Sequence, residues 1–109
     1  MDAAMNTTAQ RLATLALLYP QGQASEMMDR MLDKLLAHVA DEARTQLAVL
    51  GADLAAFEQQ YRMSSAEFAR RYEAGQTDDR MDFVEWASLV RMHDNLQQRL
   101  QVLTGEPGA

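Results

Sequence analysis

Apolar residues recur at three- and four-residue steps along nearly the whole chain, and short polar segments interrupt them at three places. The first run, residues 6–19, sets Ala9, Leu12, Leu15, Ala16 and Tyr19 on one helical face. Asn6 or Thr7 caps its start, and Pro20 and Gly22 close it. After Gln21 to Ala24, Ser25 stands as a second N-cap, with Glu26 just inside the positive end of the helix. One stripe then runs through Met28, Leu32, Leu35, Val39, Ala43, Leu47, Leu50, Leu54, Phe57 and Tyr61. Its mean step of about 3.67 residues is closer to an eleven-residue repeat than to a heptad. Gly51 falls inside the stripe and costs about 1 kcal/mol relative to alanine, yet the phase holds across it. The pattern therefore predicts a single helix over 25–62 with one weak point. At a rise of about 1.5 Å per residue it is on the order of 55 Å long.

Two helix starts of similar form follow. Ser64 and Glu67 are spaced as a capping box, with Met63 and Phe68 as the hydrophobic staple, and Gly75 is the expected stop of a helix over 64–74. Asp82 and Glu85 repeat the spacing, with Met81 and Trp86 as the second staple. The helix they open, 82–103, carries Trp86, Leu89, His93, Leu96, Leu100 and Leu103 in strict three–four alternation, a coiled-coil-like seam. Residues 104–109 are expected to be a disordered tail. The fold class expected is all-α: an elongated, coiled-coil-like bundle of about four helices around one long central helix, in a single domain over 1–103. That central stripe is long for a lone small domain to cover, so the chain is expected to form a homodimer. The stripe and the last seam are its dimer and core residues.

Composition agrees with the helical reading and narrows the function. The 109 residues hold no cysteine and only two prolines, while alanine, leucine, glutamine and methionine dominate. Disulfide scaffolds, cysteine-ligated metals and cysteine nucleophiles are excluded. The net charge of −6 argues against a nonspecific hold on nucleic acid, whose energy comes from basic side chains on phosphates. The longest apolar run, Leu12 to Tyr19, is far short of a membrane span, and it lacks the flanks of a secretion signal. The expectation is a cytoplasmic binding protein, not an enzyme, without cofactor or metal.

Several constellations have the residue types that chemistry would need. Asp78-Asp79-Arg80-Met81-Asp82 matches the DDxxD string with which terpenoid synthases hold magnesium, but the second metal motif is lacking. Acidic residues gathering at a helix start account for it more simply. Glu26 with Asp29, and Asp82 with Glu85, share helix faces as the carboxylates of helical nucleotide pyrophosphohydrolases do. The ExxE and ExxD pattern of those enzymes is lacking too, which leaves that activity a remote alternative. His38 lies one turn from Lys34 and Glu42 and reads as a solvated ion pair. His93 on the last seam reads as a register-setting polar residue. Met27, Met28 and Met31 cluster at the start of the long helix, where flexible thioethers suit either core or partner.

One string is distinctive. Phe57-x-x-x-Tyr61-x-Met63-Ser64-Ser65-x-Glu67-Phe68-x-x-Arg71-Tyr72-x-x-Gly75 is followed by Asp78-Asp79-x-x-Asp82-Phe83-x-Glu85-Trp86-x-x-Leu89. Over residues 50–103 this resembles small bacterial and archaeal antitoxin-like proteins encoded beside a small toxin. The resemblance implies a type II antitoxin that neutralises a partner toxin by direct binding. With no basic arm and no recognisable helix-turn-helix, direct nucleic-acid binding is not expected without a partner. The residues expected to meet the toxin are Asp78, Asp79, Asp82, Phe83 and Tyr72, an acidic-aromatic segment suited to a basic groove. A homodimeric coiled-coil scaffold or adaptor unrelated to toxins is the alternative.

Overall fold

The computed structural model describes residues 7–19 and 25–105, and every regular element in them is an α-helix. The helices are α1 (Thr8–Leu18), α2 (Glu26–Tyr61), α3 (Ser65–Glu73) and α4 (Met81–Thr104). All four fall within one or two residues of the expected ranges. Asn6, Pro20, the 21–24 loop and residues 106–109 of the tail lie outside the described residues.

The starts of the first three helices can be traced to side chains. Thr7 caps α1 in a reciprocal box: its hydroxyl accepts from the Gln10 N–H at 3.2 Å, and Gln10 Oε1 accepts from the Thr7 N–H at 3.3 Å. Ser25 caps α2, its hydroxyl accepting from the Met28 N–H at 3.1 Å. The helix then runs unbroken through Gly51, so the weak point is no break. It ends where Arg62 takes a left-handed φ of 52° and the Met63 N–H donates to the Glu58 carbonyl at 3.3 Å, a Schellman closure with arginine in the usual glycine place. Ser64 caps α3 through the Glu67 N–H at 3.1 Å. Only that half of the expected box is present, because the Glu67 carboxylate bonds Arg71 at 3.0 Å and pairs with Arg70. Gly75, at φ 72°, completes a second Schellman turn, with the Gln76 N–H on the Arg71 carbonyl at 2.9 Å.

The start of α4 differs from expectation. The helix begins at Met81 behind Arg80, which offers no side-chain cap, and the Asp82–Glu85 box does not form. Asp82 sits one position inside the helix, and its carboxylate accepts from the Tyr61 hydroxyl at 2.5 Å and from Gln60 at 3.4 Å. A bond from the phenol is stronger than a cap shared with water, so the tertiary contact wins. The second staple fails as well. Met81 is 79 % exposed whereas Trp86 is fully buried.

The chain divides into two compact units, one ending at Leu35 and one beginning at Leu36. In the second, Trp86, Phe68 and Leu54 form the core, with Phe57, Tyr61, Met63, Tyr72, Phe83, Ala87, Leu89 and Val90 packed against them. The Trp86 and Phe68 rings stack 3.9 Å apart at 2°, and Phe57 stacks on Trp86 at 5.5 Å. The seam of α4 is turned inward as expected: Leu89, His93, Leu96, Leu100 and Leu103 are all half-buried. The α2 stripe is half-buried or buried from Val39 to Tyr61. Before Val39 it is not. Leu32 and Leu35 are exposed and Met28 is half-buried, so the expectation that they belong to a covered stripe fails within this chain. The first unit, α1 with the beginning of α2, has no buried side chain among its described residues.

Candidate partner-binding surface

The corner that joins α2, α3 and α4 is held by side chains that sequence reasoning did not connect. Glu58 accepts from the Ser65 N–H at 2.8 Å, neutralising an open donor at the start of α3. The Ser65 hydroxyl in turn accepts from the buried indole N–H of Trp86 at 2.9 Å. Ser65 thus lets the largest core side chain bury without an orphaned donor. Nothing in the local sequence marks this role, since Ser64 and Ser65 are chemically alike and only the fold separates cap from core.

Two of the expected acidic contacts are used internally. Asp78 grips Arg80 with both oxygens, at 2.9 and 2.7 Å, and also accepts from the Arg80 N–H at 3.0 Å. The guanidinium holds the Asp78 carboxyl well below the usual range, at about 2. Arg80 itself is pushed up by Asp78 and by Tyr61, and its guanidinium lies 4.6 Å from the centre of the Phe83 ring. Asp82, bonded to Tyr61, raises the phenol's pKa by favouring its protonated form. The DDxxD string is therefore a salt bridge and a phenol contact. Among the described residues no three His, Asp or Glu side chains gather as metal ligands would.

The aromatics named with those acids are also committed. Phe83 is half-buried with Tyr61 and Phe68 at 5.0 and 5.4 Å, and Tyr72 is half-buried against Phe68 at 5.5 Å. Of the five expected partner residues, only Asp79 is exposed and without a polar partner in the structure. What stands beside it is different from expectation. Met81 and Val84 are exposed at the start of α4, and Glu85, also exposed, has no pairing partner. Along the chain, two exposed apolar side chains thus fall between two unpaired carboxylates and form a ledge at the start of α4. Next along α3 and α4 lies a groove of about 370 Å³ floored by Ala69, Ala87, Val90 and the Tyr72 ring, with Glu73, Arg91, Asp94 and Asn95 at its rim. The sequence signal for the ledge was Met81, which the staple spacing had assigned to packing.

Away from this corner, His38 Nε2 lies 3.2 Å from Glu42 and is solvated, as expected of an ion pair. His93 is half-buried, with Asp94 3.9 Å away. Met27 and Met31 are exposed. No described helix is long and apolar enough to cross a membrane. Charge divides unequally between the units. Among the described residues up to Leu35, Arg11, Arg30 and Lys34 balance Glu26, Asp29 and Asp33. Over 36–105, eleven carboxylates face seven arginines, a balance of −4. Comparison with family models, with curated proteins and with solved structures finds no match.

Proposed function

We propose that this chain is a protein-binding module of the antitoxin type, which neutralises a basic partner protein by covering it with the acidic unit that begins at Leu36. The observation that carries the reading is the ledge on α4: Asp79 and Glu85 are free to meet cations, and Met81 and Val84 lie between them as apolar anchors. An RNA-directed toxin presents a groove of lysines and arginines, and complementary charge steers the two together while apolar contacts set the residence time. Asp78 and Asp82 serve the ledge indirectly, by fixing Arg80 and the start of α4. The string over residues 57–89 supports the same reading by its resemblance to antitoxin-like proteins.

Co-expression with the product of the neighbouring open reading frame tests it. The expected result is rescue of growth and co-purification of the two chains. Asp79→Asn with Glu85→Gln weakens the complex severalfold and flattens its salt dependence. A neighbour that is harmless alone and does not co-purify overturns the reading. A scaffold role without a toxin is the second reading, favoured by the exposed apolar side chains of the unit ending at Leu35.

A further inference from the structure

The unit ending at Leu35 exposes more apolar surface than a small folded unit keeps against water. Leu12 and Leu15 of α1 and Tyr19 just past its end line a groove of about 240 Å³ together with Met28 and Leu32 of α2. Around it Leu18 is 67 % exposed, Met27 68 %, Met31 59 % and Leu35 48 %. On α1, Leu15 and Leu18 are neighbours at three residues, and on α2 so are Met28 with Met31 and Leu32 with Leu35, so these side chains form one surface. Exposed apolar side chains gathered in one small unit in this way mark an interaction surface.

From this face we infer that two copies of the chain associate through α1 and the first turns of α2, groove against groove. Charge selects the occupant. The side-chain charges of residues 1–35, Asp2 included, sum to only −1, and along α2 acids and bases are interspersed as Glu26, Asp29, Arg30, Asp33 and Lys34. Such a surface is self-complementary: across a two-fold axis an acid of one copy can meet a base of the other in both directions. Two chains that are strongly acidic overall would repel if they met over 36–105, where the balance is −4. They meet at far lower cost over the unit ending at Leu35, whose balance is −1. A basic partner is drawn to the acidic unit instead and has no electrostatic reason to choose this face. Geometry agrees, since a pair of helices with an open apolar groove closes when a second pair packs on it, giving a four-helix bundle with its core filled. The inference does not depend on the partner toxin, and it separates the surface for a second copy from the ledge for another protein.

Sedimentation of the full chain, from micromolar to submillimolar concentration, tests it. The chain mass is 12.2 kDa, so the expected species is at about 24 kDa. Leu18→Glu with Met31→Glu, both on exposed positions of the face, is expected to sediment at about 12 kDa across the whole range. Helical circular dichroism reports α1 and the start of α2, and Trp86 fluorescence with its urea midpoint reports the other unit, so together they show whether the variant is folded. Leu17→Glu is the matched control: Leu17 is 83 % exposed and points some 160° around α1 from the groove residue Leu15, whereas Leu18 lies about 60° from it, so this variant keeps the dimer. A wild-type chain that stays at 12 kDa overturns the inference and leaves the face to a different protein. A folded double variant that still sediments as a dimer overturns it too, because the contact then lies elsewhere.

Discussion

Gly51→Ala should stabilise this protein, and the sign is the informative part. Gly51 lies inside α2, ten residues before its last residue, and the helix is continuous through it. A methyl group built on its α-carbon meets no atom within 4 Å, so alanine adds no clash and fills no existing contact. What remains is the backbone term. Glycine loses more conformational freedom than alanine on entering a helix, a difference of about 0.8–1.0 kcal/mol. Stability should therefore rise by about 1 kcal/mol, which for a domain of this size raises Tm by roughly 4–8 °C. The assay is urea unfolding followed by Trp86 fluorescence and helical circular dichroism, at matched chain concentrations. The midpoint should rise, the two probes should coincide and the slope with urea should stay unchanged. A variant with equal or lower stability refutes the reasoning. It would mean that α2 bends at Gly51 or that another surface comes within methyl distance of it.

Two further outcomes follow from the α2–α3–α4 corner. Ser65→Ala removes the acceptor of the buried indole N–H and should cost about 1–3 kcal/mol, the penalty for an unsatisfied buried donor, read as a lower urea midpoint; Ser65→Thr, which keeps the hydroxyl, recovers part of it. Asp78→Asn keeps the acceptor for the Arg80 N–H but deletes the charge. The Asp78 carboxyl titrates at about 2 in the folded chain against about 3.9 when unfolded. Its folded pKa is depressed, so its contribution is complete above about pH 4 and is lost as pH falls through 2. Wild type should exceed the variant in urea midpoint at pH 6, and the gap should narrow below pH 4 and close near pH 2. A gap that is constant across that range contradicts the ion pair.

The helices were legible because their signals are local. Caps at Thr7, Ser25 and Ser64 and a stop at Gly75 depend on residues three or four positions away, and a stripe of constant phase identifies α2 whatever covers it. The start of α4 misled for the opposite reason. Asp82 and Glu85 have the spacing of a box, but the competitor for Asp82 is Tyr61, 21 residues earlier, and no local pattern reveals a phenol waiting across the corner. Ser65 was missed on the same ground. The stripe likewise tells which side of α2 is apolar and nothing about how far a neighbour reaches along it. Met28, Leu32 and Leu35 look in sequence just like Leu47, Leu50 and Leu54, yet Leu32 and Leu35 are exposed where Leu50 and Leu54 are buried. A dimer was expected from the whole stripe; the exposed part confines the argument to its first turns and to α1.

Acidity too changes meaning once pairing is counted. The sequence suggested a cluster of four acids at 78–85 ready for a basic groove, but Asp78 and Asp82 are already bonded to Arg80 and Tyr61. Opening those bonds to make new ones would leave Arg80 and the Tyr61 hydroxyl to find other partners, so a protein ligand gains little by competing for them. Only Asp79 and Glu85 remain available at that place, and exposed ion pairs are worth roughly 0–1 kcal/mol each. Two such contacts cannot hold a complex together. They can speed encounter and set orientation, as the −4 balance of the 36–105 segment also does at longer range. The affinity has to come from buried apolar area, and at the ledge that means Met81 and Val84. Under the proposed reading, a partner bound on this surface would be steered by carboxylates and anchored by thioether and methyl groups. Carboxylate substitutions should act mainly on association and salt dependence, and changes at Met81 mainly on dissociation.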